Sequence, residues 1–312
     1  MATKSESMLR YRPWRGTLHG PTHASVAMAR AAVMLLLRRK IYWGLFALSM
    51  LVFFFFFYGQ YLVVWITTQI NEDTIRIGAI SVPKGAFARF FSRLALDGSN
   101  HTFGNFIWFE GYVVVILLAL AGALLVGNDF HRGSIAFYLA KPIGRWHYVL
   151  GKCLALGFFI NLATTIPAIV LWIQAGLLYD WQTYYFDNAS LLLGILGYGL
   201  AITVTLSLLV MVTAVWLRQT VPLAMAWMGV FVLLRLLAGW LVDGLGVHPR
   251  WRLIDLWNDL YLVGAWCLRI DPGTIRPADQ PQYWEAGLVV AAVCAASLLY
   301  LRKRVQAVEI VL

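Results

Sequence analysis

The sequence predicts an all-α membrane protein with six transmembrane helices. Of its 312 residues, 61% are hydrophobic and only 13% are charged, whereas about a quarter of the residues of a soluble domain are charged. Six runs are long and apolar enough to cross the hydrocarbon core as helices, which takes about 20 residues each. These runs are continuously apolar and do not alternate as the strands of a membrane β-barrel would.

The predicted spans cover most of the chain in six successive segments. They are expected at about 41–68, 106–126, 153–178, 191–216, 221–241 and 284–301. The loops predicted on one side of the membrane, the outer loops, are 69–105, 179–190 and 242–283. Residues 1–22 are polar, and we expect them to form a flexible tail on the inner side.

Three segments outside the spans have the pattern of amphipathic helices. In the first outer loop, 87–94 has phenylalanine and leucine on one face and arginine and serine on the other. In the last outer loop, 252–260 combines a leucine and tryptophan stripe with acidic residues opposite. Segment 24–40 precedes the first span and carries four basic residues, which suit a surface of anionic lipid. We expect all three helices to lie on the membrane surface.

Basic residues predict the orientation, because cytoplasmic loops are enriched in lysine and arginine. The formal net charge is +10, and 16 of the 25 basic residues fall in the N-terminal 40 residues, the segment between spans 2 and 3, the turn at Arg218 and the C-terminal tail. The outer loops contain 8, together with most of the acidic residues. Both termini and the segment 128–152 are therefore expected in the cytoplasm.

Motifs of soluble enzymes are absent from the sequence. It contains no HExxH, GxSxG or GxGxxG pattern. Gly151-Lys152 resembles the end of a phosphate-binding P-loop, but position 146 is Trp where that motif needs Gly, and Cys153 follows where it needs Ser or Thr. We therefore expect no ATP site in this chain. The cysteines and histidines have no metal-binding spacing, so no metal site is expected either.

Two ionisable residues fall within the spans, where a charge is costly unless it is paired. Glu110 lies in span 2 near the outer side, and Arg235 lies in the outer half of span 5. We hypothesise that Glu110 and Arg235 form an intramembrane pair. Two alternatives are open: Arg235 pairs with Asp243, or its side chain reaches the outer headgroups.

The segment 128–152 is the most strongly patterned polar part of the chain. Asp129 suits the start of a short helix, because an acidic side chain is favourable at a helix N-terminus. Pro142 ends that helix. Phe130, Phe137 and Tyr138 are too apolar for a merely solvated loop, and they predict a surface that docks against a partner.

This segment resembles the permeases of ABC-2 type transporters. The resemblance is carried by Asp129-x-x-Arg132-Gly133-Ser134-Ile135-x-Phe137-Tyr138-Leu139-Ala140-x-Pro142-Ile143-x-Arg145-x-x-Tyr148-x-x-Gly151-Lys152. In that family an acidic residue, a Gly-Thr-Leu, a Pro-Val-Ser-Arg-like turn and a Gly-Lys link spans 2 and 3. The six-span layout extends the resemblance over 23–312, which would form an ABC-2 type transmembrane domain. Here Asp129 and Ser134 stand where Glu and Thr are common.

The resemblance implies a coupling region that contacts a separate ABC ATPase. The residues that would form it are Asp129, Phe130, Arg132, Gly133, Phe137, Tyr138, Pro142, Arg145 and Lys152. ATP and Mg²⁺ would bind the ATPase, and this chain would hold no cofactor. A second permease copy, identical or related, is implied because six spans are half of the usual complement. Membrane lipids are expected partners, and nucleic acid is not.

The function expected from this resemblance is export of a lipid-like or amphipathic substrate across the plasma (inner) membrane of a prokaryote. One alternative is an envelope assembly factor that uses the ATPase for mechanical work. Another is a membrane enzyme at the outer face that uses the acidic residues of the last outer loop, Asp255, Asp259, Asp271 and Asp279.

Overall fold

In the part of the chain that the structure describes, six helices are long and apolar enough to cross a membrane, which confirms the predicted fold class. The computed structural model describes residues 20–69, 74–77, 80–83, 95–134, 144–275, 277 and 279–305. The predicted amphipathic segment 87–94 lies outside these residues. Two short strands form an antiparallel hairpin in the first outer loop, β1 (Thr74–Ile77) and β2 (Ile80–Pro83).

The first two helices are α1 (Pro21–Leu37) and α2 (Lys40–Gln69), and α2 provides span 1. Proline at the first turn of α1 suits a helix start, where no intrahelical donor is needed. The Ser25 hydroxyl donates to the His147 carbonyl oxygen at 3.0 Å. Because Leu36 is also fully buried, one face of α1 is packed against the protein.

Span 2 occupies the centre of the fold. It consists of α3 (Asn100–Gly122), a π-helical turn (Ala123–Gly127) and α4 (Asn128–His131). In its most apolar stretch 67% of the residues are buried, against 17% in span 1 and 22% in span 5. Span 2 therefore contacts most of the other helices, while spans 1 and 5 are peripheral.

Span 3 consists of α5 (Arg145–Ala163) and α6 (Thr165–Leu178), which meet at Thr164. Pro167 explains the break, because it has no N–H to donate to the preceding turn. Span 3 begins eight residues before the hydropathy pattern placed it. A short helix, α7 (Trp181–Asp187), follows on the outer side.

Span 4 is α8 (Ala189–Leu217), and it ends at Arg218 in the left-handed conformation with φ 57°. Span 5 follows this tight turn and is irregular. Its successive segments are α9 (Thr220–Met228), a π-helical turn (Gly229–Leu233), α10 (Leu234–Gly239) and a second π-helical turn (Trp240–Gly244). π-Helical turns within α-helices are frequent at functional sites.

The last outer loop forms a compact layer that leads into span 6, α12 (Tyr283–Arg304). The loop contains 3₁₀ turns at Pro249–Ile254 and Pro272–Thr274, with α11 (Leu256–Cys267) between them. Asp255 caps α11, because its carboxylate accepts hydrogen bonds from the backbone N–H groups of Trp257 and Asn258.

The structure confirms the helix expected in this loop but not its position on the membrane surface. Nine of the twelve residues of α11 are buried, including Asp259 on its polar face. The physical reason is close helix packing: Trp257 lies directly over Gly111 of span 2, and Tyr198 of span 4 lies over Gly264. The absent side chains of these glycines leave the space that lets α11 fold back between the outer parts of spans 2 and 4.

Candidate functional site

A buried ion pair joins the end of span 2 to the start of span 3. Lys152 Nζ lies 2.8 Å from Asp129 Oδ2, and the two side chains are only 8% and 15% exposed. The Tyr148 hydroxyl donates to the same carboxylate oxygen at 3.0 Å. Lys152 also donates to the Leu125 carbonyl oxygen at 2.6 Å. We name Asp129, Tyr148, Lys152 and the Leu125 carbonyl group the inner clamp.

The π-helical turn of span 2 contributes to the inner clamp directly. Leu125 belongs to that turn, and its carbonyl oxygen accepts the hydrogen bond from the Lys152 ammonium group. An aliphatic side chain at 152 would leave both the carbonyl oxygen and the carboxylate without this donor, which is costly for buried groups.

Two glycines bring further elements against the inner clamp. A Cβ atom on Gly127 would lie 2.9 Å from the backbone carbonyl oxygen of Arg218, in the turn between spans 4 and 5. A Cβ atom on Gly151 would lie 2.9 Å from the carbonyl oxygen of Ser25 in α1. Spans 2 and 3, the turn at Arg218 and α1 therefore meet at one point, on the side opposite the outer loops.

The structure divides the residues expected to couple to an ATPase into two groups. Asp129 and Lys152 pair with each other inside the protein, and Phe130 is partly buried against the core. The exposed members of the set that the structure describes are Arg132, Gly133 and Arg145. The remaining three, Phe137, Tyr138 and Pro142, lie outside the described residues.

Sequence reasoning did not place Tyr148 or Leu125 in the site. A signal for Tyr148 was present, because residues four apart share a face of a helix and Lys152 follows it by four. Leu125 contributes only a backbone atom, so its side chain carried no such signal.

The structure does not bring Glu110 and Arg235 together. The Arg235 guanidinium lies over the Trp108 ring at 4.5 Å and donates to the Tyr112 hydroxyl. Glu110 is fully buried beside Ser49 of span 1. At 100° per residue, a position two residues from both 108 and 112 lies on the opposite face of span 2. Among the described residues, no ion pair includes Glu110 or Arg235.

A cavity of about 600 Å³ opens at the outer end of spans 2 and 5, beneath the last outer loop. We call it the outer cavity. Its lining includes Asn105, Trp108, Arg235, Trp240, Asp243 and Asp255. The alternative partner of Arg235, Asp243, is instead paired with Arg252 at 2.6 Å. Arg252 also lines the cavity and is itself 7% exposed in its side chain.

The acidic residues of the last outer loop do not gather into one cluster. Asp255 caps α11, and burial raises the pKa of its carboxyl group, although the Asn258 N–H and the Arg235 guanidinium oppose the rise. Burial, and then the charge of Asp255, raises the pKa of Asp259 to about 8. Asp271 caps the following 3₁₀ turn by accepting from the Gly273 N–H. No group of metal-binding side chains occurs in the described part of the chain.

The chain matches a protein family, although it matches no individual curated protein. A family model described as "ABC-2 family transporter protein" matches residues 33–249, which run from α1 through span 5 and cover well over half of the chain. The match includes the inner clamp and most of the outer cavity. The chain therefore belongs to the ABC-2 family of transporter proteins and is a transmembrane permease component.

Proposed function

We propose that this permease works with a separate ABC ATPase to export a lipid-like or amphipathic substrate. The ATPase would bind ATP and Mg²⁺ and would contact the segment between spans 2 and 3. A second permease copy would complete the twelve spans implied by the family. The complex would reside in the inner membrane of a prokaryote, with both termini in the cytoplasm, as the distribution of basic residues favours.

The inner clamp is the observation that supports this coupling. Asp129 and Lys152 stand on either side of the segment that an ATPase would contact, and their ion pair closes the base of that segment. A push on the segment would therefore move spans 2 and 3 together. Packed elements of this kind move as units between discrete arrangements, which is how an ATP-driven change can reach the far side of a membrane.

The exposed residues beside the clamp offer the contact surface. Arg132 and Arg145 are exposed at the two ends of the segment, and both are basic. Gly133 has φ +70°, and no atom of the described residues lies near the position of a Cβ atom. The chain turns sharply there in a conformation that glycine adopts readily and branched residues avoid.

A copurification experiment tests the proposal. The tagged chain is purified from its native membrane, and associated proteins are identified by mass spectrometry while ATP hydrolysis is measured. We expect an ABC ATPase in the preparation. For direction, inside-out vesicles are supplied with ATP and a fluorescent amphiphile, and an exporter accumulates the amphiphile inside. Absence of both an ATPase and ATP hydrolysis refutes the proposal.

The Gly133→Val variant tests the coupling surface within this complex. We expect normal amounts of protein in the membrane but loss of ATP-dependent accumulation, because valine disfavours the left-handed backbone at this turn. Gly20→Val is the matched control, since the described residues also leave open space around Gly20, but its φ is −61°. Full accumulation by Gly133→Val would contradict the assignment of this segment to coupling.

A further inference from the structure

Among the charged residues that line the outer cavity, Arg235 has no carboxylate within ion-pair distance in the described part of the chain, and the Asp255 carboxylate acts on it only from farther away. Arg252 pairs with Asp243, and the Asp255 carboxylate accepts two backbone N–H groups at the start of α11. The positive end of the α11 dipole adds to this local compensation of Asp255.

The position of Arg235 makes an unpaired charge costly. It precedes Gly244, the last residue of span 5, by nine residues, or about 14 Å at the helical rise. Charged side chains at such depth face a cavity or a partner and mark binding pathways. The Trp108 and Tyr112 rings supply cation–π contacts and one hydroxyl acceptor, but a guanidinium has five N–H donors to satisfy.

The other walls of the cavity suit a molecule with a polar head and an apolar body. Asn258 contributes an amide group, and Trp108 and Tyr261 contribute aromatic faces. Leu236 and Trp240 also line the cavity and are 64% and 61% exposed on span 5. The cavity is thus bordered by the apolar outer surface of a peripheral span, from which a lipid chain can enter.

We propose that the outer cavity binds the phosphate-type headgroup of an anionic amphiphile, with the Arg235 guanidinium as its counter-charge. The planar fork of arginine matches phosphate and carboxylate oxygens in a bidentate geometry. The apolar chain would lie along Trp240 and Leu236. As a substrate assignment this rests on the proposed transport function, but binding itself requires no ATPase and can be measured on the permease alone.

Binding of three matched probes tests the proposal. The full chain, purified in an uncharged maltoside detergent, is titrated with dodecyl phosphate, dodecylphosphocholine or inorganic phosphate, and its thermal unfolding is followed by tryptophan fluorescence. We expect dodecyl phosphate to raise the melting temperature saturably, and the zwitterion with the same chain to raise it much less. Equal shifts from both lipids overturn the proposal. A full shift from inorganic phosphate also overturns it, because that result indicates a site for a free anion.

Variants assign the effect to Arg235. Arg235→Gln is expected to weaken the apparent affinity for dodecyl phosphate by roughly tenfold or more, the usual scale for losing a charge-assisted contact. Arg235→Lys, which keeps the charge, loses less. The control is Arg269→Asn, which removes an exposed charge outside the cavity at a left-handed position that asparagine tolerates. An affinity of Arg235→Gln equal to that of the wild type refutes the role of Arg235.

A labelling experiment on the wild-type chain keeps the test decisive if Arg235→Gln does not fold. An alkyl phosphate with a photoreactive diazirine in its chain is bound and irradiated, and the labelled peptides are identified by mass spectrometry. We expect label within 235–244, and competition by unlabelled dodecyl phosphate. Label confined to other spans overturns the proposed site. Because no ATP is present, failure here leaves the copurification result unaffected, and the two proposals fail separately.

Discussion

The strongest quantitative prediction concerns the inner clamp. Removing one partner of a buried ion pair is expected to cost about 3–5 kcal/mol, because the other charge stays buried without compensation. In Asp129→Asn, the Lys152 ammonium group stays buried, with a side chain 8% exposed, and keeps the uncharged Leu125 carbonyl oxygen as an acceptor. We therefore expect the cost of this substitution to lie within that range. Lys152→Met leaves the Asp129 carboxylate 15% exposed and still bound to the Tyr148 hydroxyl, so we expect about 2 kcal/mol.

The double variant distinguishes an ion pair from two independent residues. Asp129→Asn with Lys152→Met removes both charges, and a neutral pair is tolerated far better than one unpaired charge. We expect the double variant to be more stable than Asp129→Asn alone, with a coupling energy of about 2–3 kcal/mol, or roughly 30- to 150-fold in the unfolding equilibrium.

The assay is reversible unfolding of the purified chain in mixed micelles, titrated with SDS and followed by circular dichroism. Arg302→Gln serves as the control, because Arg302 is exposed at the C-terminal end of span 6 and its loss should change stability by less than about 0.5 kcal/mol. Additive single effects, with a coupling energy below about 0.5 kcal/mol, would refute the clamp.

Two further predictions concern α11 and its environment. Gly111→Ala should destabilise the fold by about 1–3 kcal/mol, because the added Cβ atom would overlap the Trp257 ring. Gly287→Ala should not, because the described residues leave open space around Gly287. Burial raises the pKa of Asp259 in the folded protein to about 8, above its value in the unfolded chain. The folded state therefore binds more protons than the unfolded state between roughly pH 4 and pH 8. As the pH rises through this range, the free energy of unfolding should fall by at most about 1.4 kcal/mol per pH unit. Asp259→Asn should flatten this part of the stability profile in the SDS titration, and an unchanged slope would contradict the assignment.

Hydropathy was sufficient for the six spans but not for their ends. Polar residues at the start of span 2 and along 145–152 lowered the local hydropathy, so both helices begin earlier than predicted. Lys152 explains the error at span 3. A hydropathy pattern scores the preference of a lysine for water, whereas here the ammonium group is buried because Asp129 and the Leu125 carbonyl oxygen compensate for it.

The pairing of Glu110 with Arg235 was predicted from depth alone. Depth along a helix follows from residue number, but the face that meets a neighbouring helix does not. Trp108 and Tyr112 share one face of span 2, and that face meets span 5. The opposite face, with Glu110, meets span 1. Choosing between these faces requires the packing order of the spans, which no local pattern in the sequence encodes.

The position of α11 was missed for a related reason. An apolar stripe with acidic residues opposite is the usual pattern of a helix on a membrane surface. Here the polar face is buried, and two of its groups have internal partners: Asp255 caps the helix, and the Asn258 amide donates to Gln280. The Asp259 carboxyl group is buried with no hydrogen-bond partner among the described residues. Gly111 and Gly264 provide the space for this packing, but each is an isolated glycine in a helix, a feature that does not identify its partner.

Span 2 physically connects the two sites. Its outer part contributes Trp108 to the outer cavity, and its inner end contributes Asp129 to the inner clamp. Span 2 is regularly α-helical from Asn100 to Gly122, so we expect that stretch to be stiff. The π-helical turn that follows it is bound by Lys152, which donates a hydrogen bond to the Leu125 carbonyl oxygen. A displacement of the segment between spans 2 and 3 would thus be carried along span 2 to the side of the cavity that holds Arg235. This arrangement links the face proposed for the ATPase to the face proposed for the amphiphile through one helix, without requiring the peripheral spans 1 and 5 to transmit force.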